Sequence, residues 1–180
     1  MSRILVLSGS PRRDGNTERL ASAFVKGAKQ KQDNEVEIIS VCDHTIHPCV
    51  GCNTCFEREG NRCFQNGDMT LIYDRLSKAD IVIIASPVYF YGISAQLKAV
   101  VDRLHTPMRN RFPIKKLGLI LVGAAELPEL FDSILTQYRL IMNFFSLEDA
   151  GTVLVRGARE KGSVTEHDLQ KAYQLGLSIH

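Results

Sequence analysis

Five short apolar runs constrain this 180-residue chain more than anything else in it: Ile4 to Leu7, Val36 to Ile39, Ile81 to Ala85, Leu117 to Val122 and Thr152 to Val155. Each is too short for a helix and rich in Val and Ile, and the apolar residues are mostly continuous rather than alternating. Strands of that kind are buried on both faces, as in a parallel sheet covered by helices on each side. Between the runs, apolar residues recur with a helical period: Leu20, Ala23, Phe24 and Ala28; Met69, Ile72, Tyr73 and Leu76; Leu97, Val100, Val101 and Leu104. A longer set from Phe131 through Ile134, Leu135, Tyr138, Ile141, Met142 and Phe145 predicts a fourth helix with Pro128 in its first turn. Thr165, with Asp168 three residues on, predicts the cap of a fifth.

Strands each followed by a helix, with no repeat, low-complexity tract or linker, predict one α/β domain over residues 1–180, built on a doubly wound five-stranded parallel sheet. In such sheets ligands sit beyond the carboxyl ends of the strands, where strand order reverses. The loops at 8–16, 86–93 and 123–127 all leave carboxyl ends and are expected to converge on one crevice. The cysteine-rich segment 42–68, after the second strand, is far longer than the usual connection of about 2 to 6 residues, and long loops of this kind are usually functional.

A net charge of +2 provides no field for nucleic acid or an anionic membrane unless it is clustered. The one modest cluster, Arg103, Arg109, Arg111, Lys115 and Lys116, is interrupted by Pro107 and Pro113, lacks interleaved aromatics and reads as a solvated loop. No apolar stretch approaches the roughly 20 residues that span a bilayer. The first residues run straight into a strand without a signal-peptide core. These features predict a cytoplasmic protein without nucleic-acid or membrane partners, whose five cysteines are thiols or metal ligands rather than disulfides.

After the first strand comes Ser8-Gly9-Ser10-Pro11-Arg12-Arg13-Asp14-Gly15-Asn16-Thr17, and then a helix. Hydroxyls, an amide and small residues at a helix amino end, where free N–H groups and about half a positive charge await an anion, point to phosphate binding. The bland alternative is that Asn16 or Thr17 merely caps the helix. A Walker loop and the three-glycine dinucleotide fingerprint are both absent. The S-G-S-P-R-x-x-G-N-T pattern resembles the phosphate loop of the NADPH-dependent FMN reductase family, which has a flavodoxin-like fold. Position by position, the resemblance implies that Ser10, Arg12, Asn16 and Thr17 hold the FMN phosphate.

Following the third strand, Ser86-Pro87-Val88-Tyr89-Phe90-Tyr91-Gly92-Ile93-Ser94 places three adjacent aromatics at a carboxyl end, without a regular period that would turn them all into a core. A flat, partly apolar heterocycle stacks on such residues. The segment, continued by Leu97-Lys98 and Asp102-Arg103, also resembles the second FMN motif of the same family. That implies ring contacts from Pro87, Val88, Tyr89, Phe90 and Gly92, while Tyr91 is the aromatic most readily given to closing the hydrophobic end of the domain. From the third loop, Val122-Gly123-Ala124-Ala125-Glu126, the resemblance carries over only Gly123.

Cys49, Cys52, Cys55 and Cys63 lie within fifteen positions, with Gly51 and Gly60 permitting tight bends. Successive spacings of three suit a cubane iron–sulfur cluster better than zinc, which more often pairs two knuckles across a longer gap. A Cys/His zinc site drawn with His44 and His47, or plain buried or reduced thiols, are the alternatives. Cys42 fits neither spacing and is assigned to the core. The four-cysteine pattern is similar to that of the iron–sulfur flavoproteins, a branch of the same group, and this likeness implies a [4Fe–4S] cluster that exchanges electrons with FMN.

The resemblance thus implies an enzyme in which NAD(P)H reduces FMN and the flavin passes electrons to a quinone, another flavin or a further small acceptor. Its alternative is an electron carrier between FMN, the cluster and a partner such as ferredoxin. No acid–base catalytic residue is assigned, because the flavin supplies the chemistry. Arg109, Arg111 and Lys115 are candidates, on charge alone, for the phosphates of the nicotinamide nucleotide. The resemblance also implies a homodimer or homotetramer, and the adjacent Phe144 and Phe145 fit a covered apolar face.

Overall fold

The computed structural model describes residues 2–31 and 33–179. Strand β1 (Arg3–Ser8) leads to helix α1 (Asn16–Ala28), and β2 (Glu35–Ser40) to a long excursion that holds the one-turn helix α2 (Thr54–Glu57) before α3 (Met69–Leu76). Strand β3 (Ile81–Tyr89) turns into the two-residue β4 (Gly92–Ile93) ahead of α4 (Ala95–Asp102). Then follow β5 (Lys116–Val122), α5 (Asp132–Phe145), β6 (Glu148–Val155) and α6 (Glu166–Ser178). The order β2-β1-β3-β5-β6 is parallel throughout, with β4 antiparallel to β3. Chain direction across the sheet reverses between β1 and β3, which opens a crevice at their carboxyl ends.

Continuous apolar strands make sense once both faces are filled. Leu5, Leu7, Val82, Ile84, Leu117, Leu119 and Leu121 pack under α3, α4 and α5. Their neighbours Ile4, Val6, Ile81, Ile83, Ile120, Val122, Val153 and Val155 pack under α1 and α6. Those last two helices approach so closely that a Cβ on Gly27 would lie 2.0 Å from the Tyr173 carbonyl oxygen, and one on Gly176 2.0 Å from that of Phe24. Thr165 and Asp168 form the expected reciprocal cap of α6.

Three boundaries differ from expectation, each for a local reason. β3 runs four residues past Ala85, because Val88 and Tyr89 pair back onto Ile93 and Gly92 in a hairpin. β6 starts at Glu148, where polar residues on an edge strand carry no apolar signal. Pro128 lies in a turn before α5 rather than in its first turn; the chain is pinned there by Leu130 and Phe131, both buried, before the helix begins at Asp132. Among the described residues, no helix is long and apolar enough to cross a membrane.

The interlocked glycines generate a prediction. Adding one methyl as Gly176→Ala has to push two helix backbones apart, at a cost on the order of 3 kcal/mol. Equilibrium urea denaturation is expected to show a lowered midpoint with an unchanged slope.

Candidate functional site

Loop 9–15 is held at the switch point by backbone and side-chain hydrogen bonds together, the Asp14 N–H donating to the Glu18 carboxylate among them. The Gly9 N–H donates to the Ala85 carbonyl at 2.8 Å, which extends the β1–β3 pairing by one residue. A Cβ at Gly9 would sit 2.5 Å from Ser94 Oγ, so only glycine lets the loop lie against the start of α4. Ser10 Oγ accepts from the Arg12 N–H at 3.3 Å and tightens the turn. Helix α1 then begins with Gly15 at its cap position and no side-chain cap. Neither Asn16 nor Thr17 caps it, and the N–H groups of Asn16, Thr17 and Glu18 have no acceptor among the described residues. An uncapped helix end with a concentrated positive dipole is a receptor for an anion. Beside it lies a cleft of about 250 Å³ lined by Ser8, Ser10, Arg12, Arg13, Ser40 and Gln96, among others.

The predicted phosphate residues divide. Ser10 and Arg12 border that cleft, and Thr17 is buried in the first turn of α1. Asn16 faces the other way: its amide donates to the carbonyls of Ala158 at 3.0 Å and Glu160 at 2.8 Å, and its oxygen accepts from the Val164 N–H. It thereby ties the loop after β6 to the amino end of α1. Arg13 pairs with Asp43 at 2.8 Å, linking the phosphate loop to the start of the cysteine excursion.

Across the crevice, Phe90 and Tyr91 form the two-residue connection of the β3–β4 hairpin with φ of 47° and 64°. Two positive φ values give the turn whose twist suits a tight hairpin, but the geometry strains bulky residues. Strain retained by aromatics at a crevice rim is a functional signal. Phe90 stands 97% exposed at the tip, Tyr89 is half-exposed on the strand, and the Tyr91 carbonyl accepts from the Ser133 hydroxyl of α5. The root is fixed by the buried Ser86 hydroxyl, which donates to the Pro87 carbonyl at 2.7 Å and accepts from the Ser94 N–H at 3.0 Å. In the third loop, Gly123 donates to Val155 and accepts from Ala158, so both its backbone groups are used within the protein.

The excursion of residues 46–66 is closed at its neck. The Thr45 N–H donates to the Asp68 carboxylate and the Asp68 N–H to the Thr45 carbonyl, both at 2.8 Å. Two mutually pinned ends close the excursion in the manner of an Ω-loop, although it is longer than the usual length of about 6 to 16 residues. Its flank rests on the end of α4, where Phe56 meets the His105 ring at 5.6 Å. Cys49 and Cys52 are exposed, whereas Cys55 and Cys63 are partly buried. Burial pushes the Cys55 thiol up; the Thr54 hydroxyl holds that of Cys52 down; burial and then Asp43 raise that of Cys42, which packs against the core as expected. Among the described residues no three of the Cys, His, Asp or Glu side chains already stand at metal-binding separation.

Two basic-residue readings change. Arg103, taken for part of a solvated loop, is 5% exposed. Arg109 and Arg111 fall in the 3₁₀ turn Pro107–Arg111 and Lys115 just before β5, at the amino end of the sheet. Helix α4 has carried the chain away from the crevice by that point, so these cations do not face it.

Strand order 2-1-3-4-5 among the parallel strands, with an anion-receptive loop at the β1/β3 switch point, defines a flavodoxin-like α/β protein. The chain belongs to the NADPH-dependent FMN reductase family, which it matches over residues 2–147. It is 38% identical over 125 residues to an iron–sulfur flavoprotein of Methanocaldococcus jannaschii, covering 68% of this chain and 63% of that one. It is 30% identical over 174 residues to an iron–sulfur flavoprotein of Archaeoglobus fulgidus, covering 95% of this chain and 76% of the relative. These likenesses place it with the iron–sulfur flavoprotein branch, although the match spans less than two thirds of the first relative's length. A solved NAD(P)H:quinone oxidoreductase from Methanothermobacter marburgensis superposes with a TM-score of 0.78 over 98% of both chains at 16% identity, a likeness of fold alone.

The pinned neck of the Ω-loop can be tested directly. Asp68→Ala removes the acceptor for Thr45 while leaving the sheet intact. Limited trypsin digestion is expected to cleave within 46–66, at Arg58 or Arg62, at least several-fold faster than in the wild type, with little change in melting temperature.

Proposed function

We propose that this protein is a cytoplasmic FMN-dependent oxidoreductase that takes electrons from NAD(P)H and passes them to a quinone, a flavin or another small acceptor. The observation that carries this reading is the uncapped amino end of α1, with three free N–H groups beside Ser10, Arg12 and Thr17 at the switch point of a family-matched fold. Donor groups without acceptors, and a loop that only glycine fits at position 9, suit a phosphate. Bound FMN supplies hydride acceptance and electron delivery. The chain's own part is to grip and aim it. Ser10, Arg12 and Thr17 hold the phosphate with the free N–H groups, and Asn16 acts one step back by fixing the loop after β6. Pro87, Val88, Tyr89, Phe90 and Gly92 line the ring side, on a hairpin root that Ser86 and Ser94 lock. Gly123 contributes a close backbone wall. No side chain in the crevice is assigned proton transfer.

A second reading, an electron relay through an iron–sulfur cluster to a partner protein such as ferredoxin, is favoured by the sulfur environment of the Ω-loop. Four soft thiolate donors fit a [4Fe–4S] group in kind. Two of them already receive hydrogen-bond donors: Cys49 from the Gly51 N–H at 3.5 Å and Cys52 from the Thr54 hydroxyl at 3.2 Å. Cys49, Cys52, Cys55 and Cys63 would hold the cluster, with Cys52 turning inward to join the others. The half-exposed helix α5, with Leu140 and Phe144 outward, supports a homodimer or homotetramer.

Four measurements test these readings. Arg12→Ala is expected to raise the FMN dissociation constant about ten- to a hundredfold, from the loss of a charged hydrogen bond of about 1.5 to 3 kcal/mol. Riboflavin, which lacks the phosphate, is expected to bind the variant and the wild type alike; equal weakening for both overturns the phosphate assignment. Anaerobic NADH or NADPH is expected to bleach the flavin at 450 nm, and failure of both counts against the oxidoreductase. Protein purified without oxygen is expected to carry about four irons and four labile sulfides per chain if the relay reading is right. Sedimentation of a monomer at micromolar concentration overturns the oligomer.

A further inference from the structure

Helix α4 is too short for the strands it covers. Its eight residues span about 12 Å, against about 21 Å for the fourteen of α5 and about 23 Å for the seven of β5. Beyond Asp102 the chain continues through the 3₁₀ turn Pro107–Arg111 instead of further helix. A cavity of about 520 Å³ is left between α4, α5, that turn and the sheet. Its floor is the core itself, with Leu7, Val82 and Leu119 all buried. Interiors normally close-pack with few voids larger than a water molecule, and an apolar cavity takes apolar guests. The volume lies within the range of about 300 to 1,000 Å³ found for small-molecule sites. The cavity is also elongated. Val82 pairs with Leu117 near one end and Val88 with Ile93 at the other, six residues apart along β3, or about 20 Å.

The polar side chains that line this cavity are Arg109, Asn110, Gln137 and Tyr138. Tyr138 belongs to the fold, since its hydroxyl is taken up by the Leu117 carbonyl and the Asp149 carboxylate. Asn110 and Gln137 are exposed and mark the mouth. Arg109 is half-buried between them, with Nη1 donating to the Thr106 carbonyl at 3.1 Å and the guanidinium carbon 5.4 Å from the centre of the Phe144 ring. The ring holds the cation in place without using its N–H donors. No carboxylate lies within ion-pair distance of Arg109 among the described residues. A long apolar chamber thus ends in one unpaired guanidinium flanked by two amides.

We propose that this cavity binds a linear amphipathic carboxylate of the fatty-acid class. The carboxylate meets Arg109 beside Asn110 and Gln137, and the acyl chain lies along the sheet toward Ile93. A guanidinium fork matches a carboxylate, whereas a neutral apolar guest leaves the cation unanswered. A second copy of the chain presents a broad surface, which does not reach a floor on the sheet between two helices. Leu140, the outward residue of α5, does not line the cavity, so the face offered to another subunit is a different one that borders it at Phe144. The site is separate from the amino end of α1 and from the cysteine loop, and it requires neither FMN nor a cluster.

The test is isothermal titration of FMN-loaded protein with dodecanoate below its micellar concentration, with dodecanol as the uncharged control. Wild-type protein is expected to bind dodecanoate saturably, one per chain, and more tightly than dodecanol. Arg109→Gln is expected to weaken dodecanoate about tenfold and leave dodecanol unchanged. Val101→Phe, which adds a ring to the cavity wall, is expected to abolish binding of both while FMN affinity stays the same. Equal affinity for the two probes, or an Arg109→Gln variant that binds dodecanoate as the wild type does, overturns the carboxylate assignment. Unsaturable uptake, or binding that survives Val101→Phe, overturns the site. Refusal of dodecanoate by the wild type overturns the proposal as well, and if Phe144→Ala then converts an oligomer to a monomer that binds it, the occupant is a second copy.

Discussion

The parallel pairing of β1 with β3, from Ile4 opposite Ile81 to Ser8 opposite Ala85, is the interaction on which the rest depends. It makes the two strands neighbours although two helices, one strand and the whole cysteine excursion separate them in sequence. Their carboxyl ends therefore open at the same height. The next hydrogen bond, Gly9 to Ala85, passes that register into the loop and sets where α1 begins. The opposite wall inherits the same register, because the β3–β4 hairpin is a direct continuation of β3. A slip of one residue in this pairing would turn the side chains of the slipped strand to the opposite face.

The strands and helices were legible because burial on both sides leaves an unbroken apolar run, and burial on one side leaves a stripe. Val6 and Leu7 point to opposite faces and both find core. The hairpin was not legible, because Phe90 and Tyr91 adopt left-handed backbone that sequence rules reserve for Gly, Asn and Asp. The placement of Ser10 and Arg12 beside the crevice was readable from the local pattern at a helix start. The use of Asn16 was not: its partners lie more than 140 residues away, and no local motif reports them. Arg103 was misread for a related reason. A run of basic residues looks solvated as a group, and only the fold separates the member tucked beneath a loop from Arg109 and Arg111 beyond it.

At α1 the positive field comes from backbone, so it does not depend on a single side chain and stays directed along the helix. A field of that kind is suited to a permanent anionic handle.

The pinned neck of the Ω-loop separates two design problems within the chain. With Thr45 and Asp68 holding each other, and Gly67 allowing the close approach because a Cβ there would meet the Thr45 oxygen at 2.4 Å, β2 and α3 are joined as if by a short turn. Whatever lies between contributes little to sheet register, and the entropy of closing it rises only slowly with its length. The excursion is thus a cartridge. Its residues can be respaced or replaced at little cost to the sheet, so the segment is free to change in length and chemistry while the crevice keeps its register.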